Sequence, residues 1–554
     1  MIMYKEKYNA WLKSDKLDEK SRETLKKMSE AEIEDSFFKD IEFGTGGIRG
    51  VLGIGTNRLN IYNIRRINYG FGQYLVDNLP NSKTQGIVIA HDNRHMSKEF
   101  TLESARVLNS FGIKVYLFPA LAPTPQLSYA VRYLNAAGGI VITASHNPPQ
   151  YNGYKLYNDL GCQLVPHEAD KVVDYINKLP TALEISIPEN IKENIVYLDD
   201  EIDNKFLQMV TSISIKKNAK KENLKVVFSP QHGTSYKLAK KMLEDEKYDL
   251  TLVAEQCSPD PDFTNTKSPN PEEPAAFELS IKYAKQADAD ICVTTDPDAD
   301  RVGVACKDKS GEYQLLTGNQ MGALFLDYII KNSDVDLSKS YAVSTVVTSD
   351  IGKQICKMNS IQLDMVLTGF KFIGDVIHKY ETSQKDKKFF FGYEESYGYL
   401  FSDEVRDKDA LQAVFMACEM AAVYKEQGIT LLDRLDAIYA EYGYYMDKLL
   451  NFKMDGSEGM EKIAEIMKSL RESGIDKMGG IAVAETQDFA QSIMGLPKSD
   501  VIKMYLDDES FVAFRPSGTE PKFKVYCCIK DTSRENAEAK FEKIKVDIEK
   551  IIKG

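Results

Sequence analysis

A strand–loop–helix–strand unit recurs three times along this 554-residue chain, and no other feature constrains its fold as much. GIVIA at 86–90 leads through a polar loop and a helical stretch to KVYLF at 114–118. LKVVF at 224–228 leads in the same way to LTLVA at 250–254, and SYAVS at 340–344 to QLDMV at 362–366. These runs are continuous and rich in β-branched residues, as parallel strands covered on both faces are, so each pair reads as a βαβ crossover. Each second strand is followed by a loop: PALAPTPQ, EQCSPDPDF or TGFKFIG. Three spaced copies predict three α/β domains of related design, because solenoid repeats are much shorter. Residues 1–35 read as helical, with Glu and Lys among spaced apolar positions. FVAFRPSGTEPKFKVYCCI reads as two strands around a turn, followed by a charged helix at 533–552, which predicts a last α+β domain with an antiparallel sheet. Polar stretches near 200, 310 and 440–455 divide the chain into 1–200, 201–310, 311–445 and 446–554.

The net charge of -13, with no long block of Lys and Arg, argues against nucleic acid and anionic membrane as partners. An anionic small substrate then needs a local cationic pocket. No apolar run approaches the roughly 18 residues of a membrane span. The charged start MIMYKEKYNAWLKSDKL lacks the apolar core of a signal peptide. The eight cysteines form no C-x-x-C pair, and several sit in apolar runs, so buried, reduced thiols in a cytoplasmic protein are expected.

Five segments carry candidate chemistry. In TTDPDADR, Asp296, Asp298 and Asp300 alternate, so extended backbone projects them to one side, where three carboxylates call for a hard cation such as Mg²⁺. An EF-hand is excluded, since Arg301 and Lys307 stand where it needs Gly and Glu. A solvated acidic turn is the other reading, but the segment leaves the apolar strand ADICVTT, and strand C-terminal ends are where α/β folds bind ligands. In TASHNP, Ser145 follows a strand and has the placing of a nucleophile, although by itself the segment reads better as a turn. His146 and Lys155 follow it. FGTGGIRG at 43–50 combines glycines with Arg49, as an anion loop does, and is no Walker A motif. FRPSGTEPKFK offers Arg515, Ser517, Gly518 and Thr519 as an anion cradle, or else a plain hairpin turn. GYEESYG offers Glu394 and Ser396 to sugar hydroxyls, with Arg406 and Lys408 close in sequence.

In this order, from residue 43 to about 522, GTGGIRG, TASHNP, DPDADR, GYEESYG and RPSGTEP resemble the α-D-phosphohexomutase superfamily, specifically its phosphoglucomutase/phosphomannomutase family. The resemblance implies four domains around a central cleft, three related α/β domains with mixed sheets and a C-terminal α+β domain. It implies that Ser145 carries a phosphoryl group and completes a Mg²⁺ site with Asp296, Asp298 and Asp300. It places His146, Lys155, Arg49 and Lys408 at the reaction centre. It assigns substrate contacts to Thr45, Thr368, Glu394, Ser396 and Arg301, and a phosphate loop to Arg515, Ser517, Gly518 and Thr519. The implied reaction interconverts glucose 1-phosphate and glucose 6-phosphate through glucose 1,6-bisphosphate, with pentose or mannose phosphates as the alternatives. A monomer or homodimer acting on a small sugar phosphate is expected. A non-catalytic scaffold should have lost Ser145 or the aspartates, and all four are present. One departure stands out. Tyr393 is inserted where many phosphoglucomutases read G-E-E-S and many enzymes of dual glucose and mannose specificity read G-E-M-S; the double glutamate leans toward glucose.

Overall fold

The computed structural model describes residues 3–44, 47–188, 193–454, 456–516 and 522–553. The helical start is three helices, Met3–Lys13, Glu19–Lys26 and Glu30–Phe37. Asp18 and Ser29 set the breaks: each accepts from a backbone N–H of the next helix, and Ser29 forms a capping box with Glu32. Trp11 packs edge-on against Phe37 and Tyr62, which fastens these helices to the first sheet's domain.

Three sheets are mixed. The first runs in the order Gly47–Val51, Tyr151–Tyr157, Gly138–Ile142, Ile87–His91, Val115–Leu117, Ile195–Tyr197. The second runs Tyr313–Leu316, Val302–Lys307, Ile291–Thr295, Lys225–Ser229, Asp249–Leu252, and the third Gln362–Val366, Ser340–Thr345, Lys388–Glu394, Gly398–Leu400. In each, the two strands of the sequence repeat are parallel neighbours: Ile87 opposite Val115, Val226 opposite Leu250, Tyr341 opposite Gln362. The central strands Ile87–His91 and Ile291–Thr295 are buried at every residue, which explains their unbroken apolar runs. Each mixed sheet also carries antiparallel strands at one edge, which the repeat did not announce. The expected break near 310 falls in the turn between Val302–Lys307 and Tyr313–Leu316, so that hairpin keeps residues 313–316 with the second sheet.

The fourth sheet is antiparallel throughout, from Tyr444–Lys453 through Lys522–Asp531, Phe511–Pro516, Ile502–Leu506 and Ile481–Asp488 to Lys477–Met478. Helices Gly456–Ser473 and Arg534–Lys553 cover one face, where Ile463, Met467, Ile544 and Ile548 meet Val512, Phe514 and Val525. The helix Ala410–Glu426 is apolar almost all round and is buried from Ala410 to Tyr424 in a core shared by the second and third sheets. Among the described residues no helix is long and apolar enough to cross a membrane. All eight cysteines are free.

Candidate active site

The site forms where loops at strand ends of the first three sheets converge. Ile291–Thr295 and Val302–Lys307 make a hairpin whose six-residue tip, 296–301, is the aspartate segment. The alternation argument for extended backbone does not hold here. The tip is a turn with Ala299 at φ 56°, and Asp296 closes it by accepting the N–H groups of Asp300 at 3.0 Å and Arg301 at 2.9 Å. That fold-back brings oxygens of Asp296, Asp298 and Asp300 within 4.8 Å of one another, all three residues buried. Burial, with Asp298 and Asp300 beside it, pushes Asp296 well above the usual carboxylate range. Oδ1 of Asp298 and of Asp300 are buried without a hydrogen-bond partner. Crowded, unsatisfied, all-oxygen donors fit a hard divalent cation.

Ser145 meets this hairpin from the first sheet. It follows Gly138–Ile142, has φ 50°, and is 2% exposed. Its Oγ donates to Asp296 Oδ2 at 2.7 Å and lies 3.2 Å from His146 Nδ1. Burial, and then the charges of Arg301 and Arg49, push His146 well below its ordinary value, so the imidazole is neutral. Lys155 reaches Asp298 Oδ2 at 2.9 Å and Asp300 Oδ2 at 3.2 Å. Lys408, from the third domain, reaches Asp300 Oδ2 at 3.1 Å and Asp407 Oδ1 at 3.3 Å. Burial opposes both ammonium charges, but the carboxylates outweigh it and hold both lysines above their ordinary pKa.

The sugar segment is a hairpin, Lys388–Glu394 with Gly398–Leu400, and Ser396 sits in its turn. The Lys408 stem crosses this hairpin at Gly398, where a Cβ would lie 2.3 Å from Lys408 Cδ, so only glycine fits. Glu394 accepts the Gly369 N–H at 2.7 Å, and burial pushes its pKa up to about 7 despite Lys408 nearby. Thr368 Oγ1 is buried without a partner. Glu395 turns aside, accepting from Thr345 Oγ1 at 3.2 Å and Thr348 Oγ1 at 3.1 Å. Tyr393 points into the core: its ring stacks on Phe391 and fills the space over Gly322 and Gly352. The inserted tyrosine is thus a packing residue.

Other predicted residues lie around this centre. Arg49 donates to Asn147 Oδ1 at 2.8 Å, beside the serine loop, and Arg301 pairs with Glu272. Arg515 stands opposite Lys524 in the last sheet, its Nη1 3.4 Å from the Tyr526 hydroxyl. Thr45, Ser517, Gly518 and Thr519 lie outside the described residues.

Three residues escaped the sequence reading. Arg94 is buried against the serine loop and donates to four carbonyls: Pro148 at 2.9 Å, Tyr151 at 3.0 Å, Ser145 and Asn147. Asp92 balances it at 3.2 Å, and Phe263 lies under its guanidinium at 5.1 Å. Thr124 holds the aspartate tip through N–H to Asp298 O at 2.9 Å and Oγ1 to Asp298 Oδ2 at 3.0 Å. The available signal was position: HDNRH and PALAPTPQ directly follow strands of the first repeat.

A buried serine against three clustered carboxylates, with two lysines and several arginines about them on a chain of α/β domains, defines a metal-assisted phosphoryl-transfer site as a class. Residues 40–182, 204–311 and 317–442 match the models described as phosphoglucomutase/phosphomannomutase, alpha/beta/alpha domains I, II and III. The chain belongs to the phosphoglucomutase/phosphomannomutase family of the α-D-phosphohexomutase superfamily. It is 37% identical over 536 residues to a phosphoglucomutase of Staphylococcus haemolyticus, covering 94% of this chain and 95% of that one. It is 38% identical over 520 residues to that of Staphylococcus aureus strain MSSA476, covering 91% and 92%. Among solved structures, a putative phosphomannomutase from Thermus thermophilus shares the fold at TM-score 0.69 and 21% identity, covering 92% of this chain and 99% of that one. The Paramecium phosphoglucomutase pp63/parafusin in an open form does so at TM-score 0.69 and 19% identity, covering 93% and 96%.

Proposed function

We propose that this enzyme is a phosphoglucomutase, interconverting glucose 1-phosphate and glucose 6-phosphate by way of phosphorylated Ser145 and glucose 1,6-bisphosphate. The observation that carries this reading is the 2.7 Å contact between Ser145 Oγ and Asp296 across two domains. It puts the residue that would carry phosphate at the edge of a cation site. Asp296, Asp298 and Asp300 would hold Mg²⁺ together with an oxygen on Ser145. When bound, the cation supplies charge neutralisation at the transferring group.

The remaining work falls to this chain's own groups. The serine proton has two acceptors in reach, Asp296 Oδ2 at 2.7 Å and His146 Nδ1 at 3.2 Å. Lys155 and Lys408, kept charged by carboxylates, contact Asp298 and Asp300 of the aspartate tip, where they would balance phosphoryl oxygens and exchange a proton with a sugar hydroxyl. Glu394, Ser396 and Thr368 would take the sugar hydroxyls. Arg515 with Ser517, Gly518 and Thr519 would hold the distal phosphate, and Arg49, Arg301 and Thr45 would close the shell. A reducing cytoplasm suits eight unpaired thiols.

Turnover of glucose 1-phosphate, ribose 1-phosphate and mannose 1-phosphate by the parent and Ser145→Ala enzymes tests the reading. Glucose 1-phosphate should lead, and the alanine variant should lose about 10⁴-fold or more in kcat. Retained mutase activity without the serine hydroxyl would overturn the mechanism. A lead for the pentose phosphate would change the substrate and leave the chemistry intact.

A further inference from the structure

The backbone of the aspartate tip is held from three directions. Pro297 O accepts the Thr234 N–H at 2.8 Å, Asp298 O the Thr124 N–H at 2.9 Å, and Ala299 O the Ala410 N–H at 3.2 Å. Thr124 belongs to the first domain, Thr234 to the second and Ala410 to the third. Three successive carbonyls thus take one donor from each α/β domain. With those carbonyls occupied, the open acceptors of the tip are carboxylate oxygens, Oδ1 of Asp298 and of Asp300.

The support from the second domain is strained. Gln231 and His232 stand side by side at φ 49° and 62°, in the left-handed region that residues other than glycine seldom adopt. Both are buried and tied down. Gln231 Nε2 donates to Ala276 O at 2.7 Å, the His232 N–H to Gln256 O at 2.8 Å, and His232 Nδ1–H to Ser258 O at 2.8 Å. This turn sets Gly233 against Pro297, where a Cβ would lie 2.4 Å from Pro297 O and 2.5 Å from Pro297 Cα. Gly233 has no positive φ, so the close approach to the tip is what requires glycine there.

We infer that Gly233, Thr234 and Ala410 join Thr124 as positioning residues for the cation site, which reaches its final geometry only when all three α/β domains grip the tip. This rests on the reading of Asp296, Asp298 and Asp300 as the Mg²⁺ site. A free turn would lose chain entropy on every binding event, whereas a clamped one is ordered beforehand. Mg²⁺ also demands near-ideal octahedral geometry, so a small shift of the tip should weaken binding steeply.

Two substitutions in different domains test the inference, so either suffices if the other fails to fold. Gly233→Ala sets a methyl group against the Pro297 backbone. Ala410→Pro deletes the donor to Ala299 O at the first position of its helix, where proline is tolerated. Asp409 before it is already extended, at φ -126° and ψ 100°, as a residue preceding proline prefers. Gly70→Ala is the control. Its Cβ would lie 2.6 Å from Ile176 Cγ1, in the packing of helices Ile61–Asn78 and Pro166–Asn177 within the first domain. Mn²⁺ binding is measured by electron paramagnetic resonance on the full chain without sugar phosphate, beside the thermal melt, with the phosphorylation state of Ser145 matched by intact mass. The parent should bind Mn²⁺, and both test variants should bind it at least tenfold more weakly. Gly70→Ala should lower the melt and keep the parent affinity. Parent-like affinity in either folded test variant would overturn the inference. Equal weakening in Gly70→Ala would overturn it too, by making lowered stability the cause. A parent that binds no Mn²⁺ would overturn the metal reading and this inference with it, an outcome told apart by the parent alone.

Discussion

The serine loop and the sugar hairpin face the same centre, and they are finished to different degrees. Around Ser145 the side chains that define geometry are already engaged: Arg94 holds four carbonyls, Thr143 Oγ1 takes the Ser145 N–H at 2.8 Å, and Thr124 pins the aspartate tip. At the hairpin, Thr368 Oγ1 is buried without a partner and Glu394 is a desolvated carboxyl with a raised pKa. The chemical half is preorganised, which is what electrostatic catalysis requires. The recognition half keeps polar groups short of partners, as a site does when a ligand's hydroxyls complete it.

The sharpest way to break this comparison is Arg94→Ala. It removes the fork that holds the serine loop and strands Asp92 as a buried, unpaired charge. Loss of one partner of a buried pair costs about 3–5 kcal/mol. The denaturation midpoint should fall accordingly, and kcat should drop by about 10² or more because the nucleophile loses its fixed position. Arg94→Lys should recover part of the stability and little of the rate, since an ammonium cannot span four carbonyls from one plane. A lysine variant with full kcat would show that the loop needs only a charge.

Glu394→Gln probes the other half. Burial raises Glu394 from an ordinary 4.5 to about 7, so the folded state binds its proton more tightly than the unfolded chain does. The stability this confers is fully present below pH 4.5 and is lost as pH rises through 7. Glutamine cannot ionise. The variant should therefore gain stability relative to the parent between pH 5 and pH 8, by about 3 kcal/mol at most. Urea midpoints of both proteins at the two pH values measure it. The same substitution should raise KM for glucose 1-phosphate about tenfold and lower kcat less. A variant losing relative stability at pH 8 would mean that the ionised carboxylate is well paired, and the contrast between the halves would fail.

Much of this was legible in sequence because it depends on local pattern. Continuous β-branched runs marked the parallel strands, and FVAFRP with KFKVYCCIK marked a hairpin that the fourth sheet contains. Ser145 and the three aspartates were legible as residue types next to strand ends. Their joining was not, because the sequence separation of 151 from Ser145 to Asp296 is bridged only by packing of two domains. Arg94 hid for the same reason: an arginine in HDNRH looks solvated until the fold lays the serine loop over it. The aspartate tip was misjudged in backbone, since alternation of residue types resembles a strand whether or not the chain turns. Asp296 accepting two N–H groups of its own loop is what decides for the turn.

Tyr393 gives the smallest expected effect and the finest test of the hairpin. In sequence it sat inside the recognition motif and put the sugar in question. In the structure its ring is 1% exposed, stacks on Phe391 at 5.2 Å, and covers two glycines on neighbouring helices. A Cβ on Gly352 would lie 1.9 Å from the Tyr393 oxygen, so ring and glycine are matched in shape. Tyr393→Phe keeps that shape and should leave the ratio of turnover on glucose and mannose 1-phosphates within about twofold, with stability changed by less than about 1.5 kcal/mol. Tyr393→Ala should cost about 3–5 kcal/mol through the cavity it opens. A changed sugar preference in the phenylalanine variant would place the Tyr393 hydroxyl in recognition, and the hairpin would then select its sugar from beneath as well as from its tip.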